Sequence, residues 1–267
     1  PMPINPCLDF PTPTKSCQEK EVESSILTPS LALEEFNCPI CHDSGWAGTY
    51  EETPYIFRIV RCECMAERDK IDKWNRMLKF CDLPKNSEHL TLDSFVVRTG
   101  TEEAYRWAVS LAADKEEIKW LILLGHVDQG KTHLAIGIAR RWLERGIPAK
   151  YKFVPILLDD LRQGYQPEAR ISYDDEFNIL KSVPLLVIDD LGAESKTIWA
   201  QEKLDTIVDY RYANALPLVV TSQLSVKQLF ERSERIASRL LRFRLGKVIV
   251  MSAGEYRLWK GESCGEN

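Results

Sequence analysis

Residues 120–132 read Trp-Leu-Ile-Leu-Leu-Gly-His-Val-Asp-Gln-Gly-Lys-Thr, an apolar run that leads directly into a glycine-rich loop. The loop, Gly125 to Thr132, has the spacing G-x-x-x-x-G-K-T of the phosphate-binding loop that joins a strand to a helix. Backbone N–H groups of such a loop, and of the helix that follows it, attract phosphate oxygens. The stretch therefore predicts that the chain binds a nucleoside triphosphate together with Mg²⁺.

The residue types within the loop suggest individual roles. We expect Lys131 to reach the β- and γ-phosphates and Thr132 to place its hydroxyl on Mg²⁺. Asp128 is unusual, because it puts a carboxylate inside a loop that binds anions. The candidate nucleotide-binding residues of this segment are Gly125, His126, Val127, Asp128, Gln129, Gly130, Lys131, Thr132 and His133.

Strands and helices alternate on both sides of the loop from about residue 100 onward. Alternation of this kind predicts a parallel five-stranded sheet between two layers of helices. The expected strands are 120–124, 149–154, 183–189, 216–221 and 248–251.

Two of the predicted strands end in polar side chains that suit phosphate chemistry. The run Leu185-Leu-Val-Ile-Asp-Asp190 assigns Asp189 to Mg²⁺ and Asp190 to the attacking water. The strand Leu218-Val-Val-Thr-Ser-Gln223 ends in an amide that could orient that water. For each strand, a buried segment that ends in a solvated polar turn is the structural alternative.

A basic segment follows near the end of the chain, at residues 234–244. Arg235, Arg239 and Arg242 share one face of a predicted helix there. Such charges are usually only solvated. The functional alternative is an arginine that reaches the nucleotide of a neighbouring subunit.

Two pairs of cysteines stand about twenty residues apart, before the predicted sheet. Cys38-Pro-Ile-Cys41 and Cys62-Glu-Cys64 supply four thiols, which suit tetrahedral zinc. Unliganded thiols are an alternative, and Cys38 to His42 also matches the C-x-x-C-H pattern of c-type haem attachment. Haem attachment needs export, and no signal is evident, so we predict a zinc site at Cys38, Cys41, Cys62 and Cys64.

Composition narrows the classes of function. The net charge of −5 argues against nucleic-acid binding by overall charge, although a local basic groove stays open. No apolar stretch is long enough to span a membrane, and the first residues lack the layout of a secretory signal, so we expect a cytoplasmic protein without a membrane partner. Candidate DNA contacts are Lys150, Lys152, Arg162, Arg170 and the segment 232–247, with Tyr151 and Tyr165 as candidate stacking residues.

Together these motifs resemble those of the AAA+ ATPases of the bacterial replicative helicase-loader type (DnaC/DnaI-like), which are related to IstB-like transposition helper ATPases. The resemblance covers roughly residues 88–258. It is carried by Gly130-Lys-Thr-His-Leu-Ala135, Ile188-Asp-Asp-Leu-Gly192, Trp199-Ala-Gln-Glu-Lys-Leu204, Asp209-Tyr-Arg211, Val220-Thr-Ser-Gln223 and Glu234-Arg-Ile-Ala-Ser-Arg-Leu240.

The resemblance implies a P-loop AAA+ domain of the ASCE class, an αβα sandwich that works as an oligomer on single-stranded DNA. It implies Asp190 as the catalytic acid, Gln223 as sensor 1 and Arg239 as a finger acting in trans, with Arg235 as a helper. Two residues depart from the family pattern. Gln223 stands where the family usually has Asn, and Asp128 stands where the loop usually has Gly.

The predicted organisation places a small zinc-binding module before the ATPase domain. Its parts are a flexible arm (1–36), the zinc module that docks the helicase (37–66), a linker helix and connector (67–98), the AAA+ domain (99–258) and a tail (259–267). The function that the resemblance implies is ATP-dependent loading of the replicative DNA helicase onto single-stranded DNA, with ATP, Mg²⁺ and Zn²⁺ as cofactors.

Three alternatives stay open. The first is an IstB-like transposition helper that acts with a transposase, and the second is a nucleotide-switched interaction protein with weak hydrolysis. The third is a translational GTPase, because Gly125-His-Val-Asp128 resembles the first motif of that class and Asp189-Asp-Leu-Gly192 fits D-x-x-G. No N-K-x-D segment for reading guanine follows, which disfavours the GTPase.

Overall fold

A computed structural model describes residues 37–52, 55–113, 118–242 and 244–254 of the chain. The predicted arm at 1–36 and the predicted tail at 259–267 lie outside these residues. The chain divides into two compact units, one ending at Val60 and the other beginning at Arg61.

A two-stranded sheet is formed by β1 (Trp46–Glu52) and β2 (Tyr55–Arg61), of which all residues but the last belong to the first unit. The chain turns sharply before β1, where His42 and Asp43 have φ values of 47° and 61°. The carboxylate of Asp43 accepts the backbone N–H groups of Asn37 and Cys38. The N–H of His42 also donates to the carbonyl oxygen of Cys38 at 3.0 Å. Cys38 and Cys41 therefore lie on one tight turn, as the knuckle pattern predicts.

The second unit is built on a five-stranded sheet in which every pair of neighbours is parallel. The strand order is β4-β5-β6-β3-β7. The strands are β3 (Trp120–Leu124), β4 (Ala149–Phe153), β5 (Leu185–Asp189), β6 (Leu218–Ser222) and β7 (Gly246–Val250). The predicted parallel five-stranded sheet is confirmed.

Helices precede and connect these strands. Their bounds are α1 (Glu63–Cys81), α2 (Glu102–Ala112), α3 (Lys131–Glu144), α4 (Val154–Gln163), α5 (Tyr173–Ser182), α6 (Ile198–Ala213), α7 (Val226–Arg232) and α8 (Glu234–Leu240). Within the described residues, no helix is both long enough and apolar enough to cross a bilayer.

The sheet is buried on both faces. Successive side chains of a strand point to opposite faces, so the buried run of β3 supplies two cores. Leu121 and Leu123 pack with α2 and α3, whereas Trp120, Ile122 and Leu124 pack with the helices from α4 to α8. A strand of continuous apolar residues is therefore the expected signature of the centre of such a sheet.

Strand order decides which side chains meet at the phosphate-binding loop. β6 lies between β3 and β5, with Leu124 opposite Ser222 and Ile188 opposite Val220. The carboxyl ends of all three strands therefore reach the same edge of the sheet, where ligands of open parallel sheets bind.

Three of the predicted DNA contacts are wrong. Lys150 and Lys152 lie on β4 with side chains only 8% and 5% exposed, and both form ion pairs with the buried Glu176. Lys152 also pairs with Asp82 at 2.8 Å. Tyr151, between the two lysines, is buried as well. β4 is an edge strand, but α1 packs against it, so its basic side chains neutralise carboxylates inside the protein rather than phosphates outside it.

Candidate functional site

A cavity of about 620 Å³ opens at the carboxyl ends of β3, β5 and β6. This volume is typical of sites that hold a small molecule or cofactor. It brings together most of the residues that the sequence assigns to the nucleotide. Those on its wall are Val127, Asp128, Gln129, Gly130, Lys131, Thr132, His133, Asp189, Asp190 and Gln223.

The phosphate-binding loop runs from the end of β3 to the second residue of α3, Thr132. Gly130, at the N-cap of α3, has a φ of 88°, and a Cβ there would lie 2.7 Å from the ring of Phe95. Gly125, at the start of the loop, has a φ of 148°, and a Cβ there would lie 2.9 Å from the carbonyl oxygen of Met251. Both positions therefore require glycine, which lets the loop backbone close around phosphates.

Lys131 lies in the centre of the loop. Its Nζ donates to the carbonyl oxygen of Gly125 at 2.8 Å and to that of His126. Burial lowers the pKa of Lys131, while the nearby Asp190 and Asp189 carboxylates oppose that shift. The ammonium is thus held inside the loop, next to the two acids at the end of β5.

Asp128 occupies the left-handed region, with a φ of 63°. Glycine adopts this conformation without strain, and Asp is among the few other residues that tolerate it. The backbone therefore explains why Gly is usual at this position of the loop and why Asp can replace it.

Asp189 is buried and accepts hydrogen bonds from three hydroxyl groups. Thr132 Oγ1 lies 3.0 Å from Oδ1, Tyr151 OH lies 2.7 Å from Oδ2, and Thr221 Oγ1 lies 2.7 Å from Oδ1. The oxygens of Thr132 and Asp189 are the hard ligands that Mg²⁺ prefers, so this pair fits the predicted magnesium site. Burial and the adjacent carboxylate raise the pKa of Tyr151, which keeps its hydroxyl a donor.

Two partners of Asp189, Tyr151 and Thr221, were not predicted from the sequence. Tyr151 comes from β4 and Thr221 from β6, the two strands that flank β5. Thr221 belongs to the motif Val220-Thr-Ser-Gln223, but its contact with Asp189, like that of Tyr151, depends on which strands are neighbours.

Asp190 follows β5 directly and is fixed by the end of β6. Its backbone has a φ of 58°, and its N–H donates to Thr221 Oγ1 at 2.8 Å. Gln223 Nε2 lies 3.0 Å from Oδ1 and 3.1 Å from Oδ2 of the Asp190 carboxylate. The structure therefore brings together the two residues that the sequence assigns to the attacking water.

A further wall of the cavity comes from residues before α2, in the segment that the sequence predicts to be a connector. They are His89, Leu90, Ser94, Phe95, Val96 and Arg98. His133 ties this wall to α3, because its Nε2 donates to the carbonyl oxygen of Thr91 at 2.8 Å and its ring meets the edge of Phe95 at 5.2 Å. Burial lowers the pKa of His133, so the ring is neutral near pH 7.

Arg235 and Arg239 lie away from this cavity. Among the described residues on its wall, Arg98 is the one arginine. Arg239 Nε donates to Asp209 Oδ1 at 3.0 Å, and Arg235 Nε donates to Asp209 Oδ2 at 2.7 Å. The predicted role in trans stays a prediction, and this position is compatible with it.

The four cysteines of the predicted zinc site come together. The sulfur atoms of Cys38, Cys41, Cys62 and Cys64 all lie within 4.8 Å of one another, and none of the four forms a disulfide. The first three are buried. Four convergent thiols are the donor set of structural zinc, so the residues fit this metal.

Two proteins of Bacillus subtilis are similar to this chain in sequence. A phage-like element protein of Bacillus subtilis strain 168, PBSX protein XkdC, is 24% identical over 238 residues, which cover 84% of this chain and 85% of XkdC. The replicative helicase loader DnaI of the same strain is 30% identical over 112 residues, which cover 42% of this chain and 35% of DnaI.

Solved structures share the fold of about two thirds of this chain. A crystal structure of DnaI has a TM-score of 0.56 and 25% identity, covering 67% of this chain and 98% of that one. An AMPPCP-bound DnaA from Aquifex aeolicus has a TM-score of 0.56 and 21% identity. This alignment covers 66% of our chain but only 55% of DnaA. The parallel five-stranded sheet is thus a P-loop AAA+ fold.

The family match rests on the same region as the cavity. The model of the family described as IstB-like ATP binding protein matches residues 57–252, which is more than half of the 267-residue chain. It spans the phosphate-binding loop, the acidic end of β5 and the end of β6. This chain therefore belongs to the family of IstB-like ATP-binding proteins.

Proposed function

We propose that this protein hydrolyses ATP at subunit interfaces of an oligomer and uses the reaction to load a replicative DNA helicase onto single-stranded DNA. ATP hydrolysis is supported mainly by the hydrogen bond from the Gln223 amide to the Asp190 carboxylate. It lies next to the hydrogen bond that the Thr132 hydroxyl donates to Asp189. A site that only holds a nucleotide has no need for an oriented carboxylate next to the magnesium ligands.

The loop and Lys131 would bind the phosphates. The loop and the first turn of α3 line the cavity, and N–H groups of such a loop and helix N-terminus attract phosphate oxygens. The Lys131 ammonium, now held by two loop carbonyls, would exchange them for the β- and γ-phosphates. Thr132 and Asp189 would hold Mg²⁺, which when bound neutralises charge that develops on the phosphates.

Water activation falls to Asp190. Its carboxylate can accept a proton from a water aligned with the γ-phosphate, and the Gln223 amide keeps that carboxylate in one orientation. An arginine of a neighbouring copy would complete the site, and in other nucleotide hydrolases such a residue contributes about 10³–10⁵ in rate. We assign this role to Arg239, with Arg235 as its helper.

The helicase-loading part rests on relatives and on the cysteine cluster. DnaI is named as a replicative helicase loader, and it aligns over 42% of this chain at 30% identity. We propose that the cysteine cluster binds Zn²⁺ and shapes the module that docks the helicase. The family description equally allows an IstB-like helper of a transposase, which would share the ATPase domain.

Two measurements test the proposal. The first compares ATP turnover of the wild type with Asp190→Asn and Arg239→Ala, using the exposed Asp174→Asn and Arg76→Ala as matched controls. We expect both site variants to lose turnover by about 10²-fold or more, and both controls to keep it. Full turnover in both site variants would show that the catalytic roles assigned to Asp190 and Arg239 are wrong.

The second measurement separates the loader from the transposition helper. Replicative helicase is mixed with circular single-stranded DNA, this protein and ATP, and the helicase retained on the circle is counted. A circle has no end to thread, so retention reports loading. We expect retention to need ATP and an intact Asp190. If the protein captures a transposase and no helicase from the host extract, the proposed role in helicase loading is wrong.

A further inference from the structure

One carboxylate on α6, Asp209, holds two arginines of α8. Arg235 uses both Nε and Nη2 on Oδ2, at 2.7 and 2.5 Å. Arg239 uses Nε on Oδ1, at 3.0 Å. The side chain of Asp209 is 22% exposed, so these contacts are partly shielded from water.

The two arginines are held differently. Arg235 is engaged through two nitrogen atoms along one edge of its guanidinium, and both converge on a single oxygen, Oδ2. Arg239 is engaged through Nε, and its guanidinium carbon lies 5.3 Å from the ring centroid of Tyr212. Asp209 thus holds Arg239 through Nε and Tyr212 lies against its guanidinium, while Nη1 contacts Ser238 Oγ at 3.5 Å.

The charges around Asp209 are unbalanced. Arg242 also lies over Tyr212, at 5.8 Å, and donates to its hydroxyl at 3.3 Å. Asp205 also lies near Arg235, and its carboxylate accepts a hydrogen bond from Ser233 Oγ at 3.2 Å. Within the described part of the chain, three guanidinium groups thus lie around two carboxylates, an excess of positive charge that suits an anion from outside the cluster.

We propose that Asp209 is the positioning residue that presents Arg239 to the phosphates of ATP bound by a neighbouring copy. The inference rests on the proposed hydrolysis at subunit interfaces. Arg235 acts as a tether that fixes Asp209 between the helices. Asp209 touches neither substrate nor metal and acts only through Arg239.

The test uses turnover of the full chain and of mixtures of variants. Asp209→Asn removes the charge, Asp209→Glu keeps it, and Glu202→Gln is the control, an exposed carboxylate on α6. We expect Asp209→Asn to lower kcat about 10- to 100-fold with little change in KM for ATP, because a misplaced reacting group costs about this much. Asp209→Glu should recover part of the loss, and Glu202→Gln should match the wild type.

Mixing separates a role in trans from a loss of folding. Lys131→Ala chains lack a working site of their own but still carry Asp209 and Arg239. Mixed with Asp209→Asn chains, they should raise turnover above the sum of the two separate preparations. Asp209→Asn mixed with Arg239→Ala should give no such gain, because both chains lack a presented arginine.

The outcomes also separate this inference from the proposed function. If Arg239→Ala keeps full turnover, the proposed reaction in trans fails, and Asp209 loses its role with it. If Arg239→Ala is impaired while Asp209→Asn equals Glu202→Gln, only the positioning role fails. A changed KM for ATP in Asp209→Asn with no rescue by Lys131→Ala chains would likewise overturn it, since that pattern belongs to a local structural defect.

Discussion

The side-chain amide of Gln223 donates to both carboxylate oxygens of Asp190, over 3.0 and 3.1 Å. Gln223 follows the end of β6 and is one methylene longer than the Asn that is usual at this position in ATPases of the helicase-loader type. The contact links the residue expected to sense the γ-phosphate to the residue expected to accept the proton of water.

Gln223→Ala should lower ATP turnover by about 10- to 100-fold while leaving ATP affinity nearly unchanged, because the Asp190 carboxylate loses its orientation. Steady-state kinetics and equilibrium binding of ATP measure the two effects. Gln201→Ala, an exposed amide on α6, serves as the control. A rise in turnover would mean that the amide restrains Asp190 rather than orients it.

Tyr151→Phe should raise the Mg²⁺ concentration that gives half-maximal turnover by about tenfold or more. The phenol donates to Asp189 at 2.7 Å, and partners of metal ligands commonly contribute this much to metal affinity. Mg²⁺ titrations of turnover check the prediction, with Tyr165→Phe as the exposed control. An unchanged Mg²⁺ dependence would contradict the assignment of Asp189 to the metal.

Asp128→Gly should tighten ATP binding, by roughly fivefold for a like-charge repulsion of about 1 kcal/mol in a solvated loop. Its φ of 63° suits glycine, so the loop should keep its shape. Asp128→Asn removes the charge and also tolerates this backbone, and should behave in the same way. Weaker ATP binding in both variants would show that the carboxylate has a positive role.

Chelation of zinc should expose four thiols to a thiol reagent at pH 8 in the folded protein. The cysteine cluster accounts for these four. Cys81 should stay unreactive until the protein unfolds, since it is fully buried and burial raises the pKa of its thiol to about 12. Metal analysis should find one zinc per chain. An unchanged number of reactive thiols after chelation, or a red protein with a Soret band, would contradict zinc binding at the cluster.

Acidification below pH 6.5 should destabilise the second unit in part through His133. Burial lowers its pKa in the folded state, so the unfolded chain binds the proton first and the free energy of unfolding falls as the pH drops. In urea unfolding at pH 7.5 and pH 5, His133→Gln should lose less stability between the two values than the wild type does. An equal loss would mean that other groups account for the acid sensitivity.

Patterns of residues close together in the chain were enough to predict the parallel sheet and most of the candidate nucleotide site. The apolar run into Gly125–Thr132, the acidic end of β5 and the paired cysteines each combine residues that are close in the chain, so their spacing alone predicts a loop, a strand end and a knuckle. Lys131, Thr132, Asp189, Asp190 and Gln223 follow from such local patterns, and the cavity contains all of them.

Only the tertiary structure decided which distant residues meet. Sheet order places Tyr151 and Thr221 on either side of Asp189, and it buries Lys150 and Lys152 beneath α1 although their strand reads as basic. The wall around Phe95 and the pairing of Asp209 with Arg239 likewise join segments far apart in the chain. Periodicity and motif spacing are local properties of a sequence, whereas neighbours across a parallel sheet depend on the order in which its strands assemble.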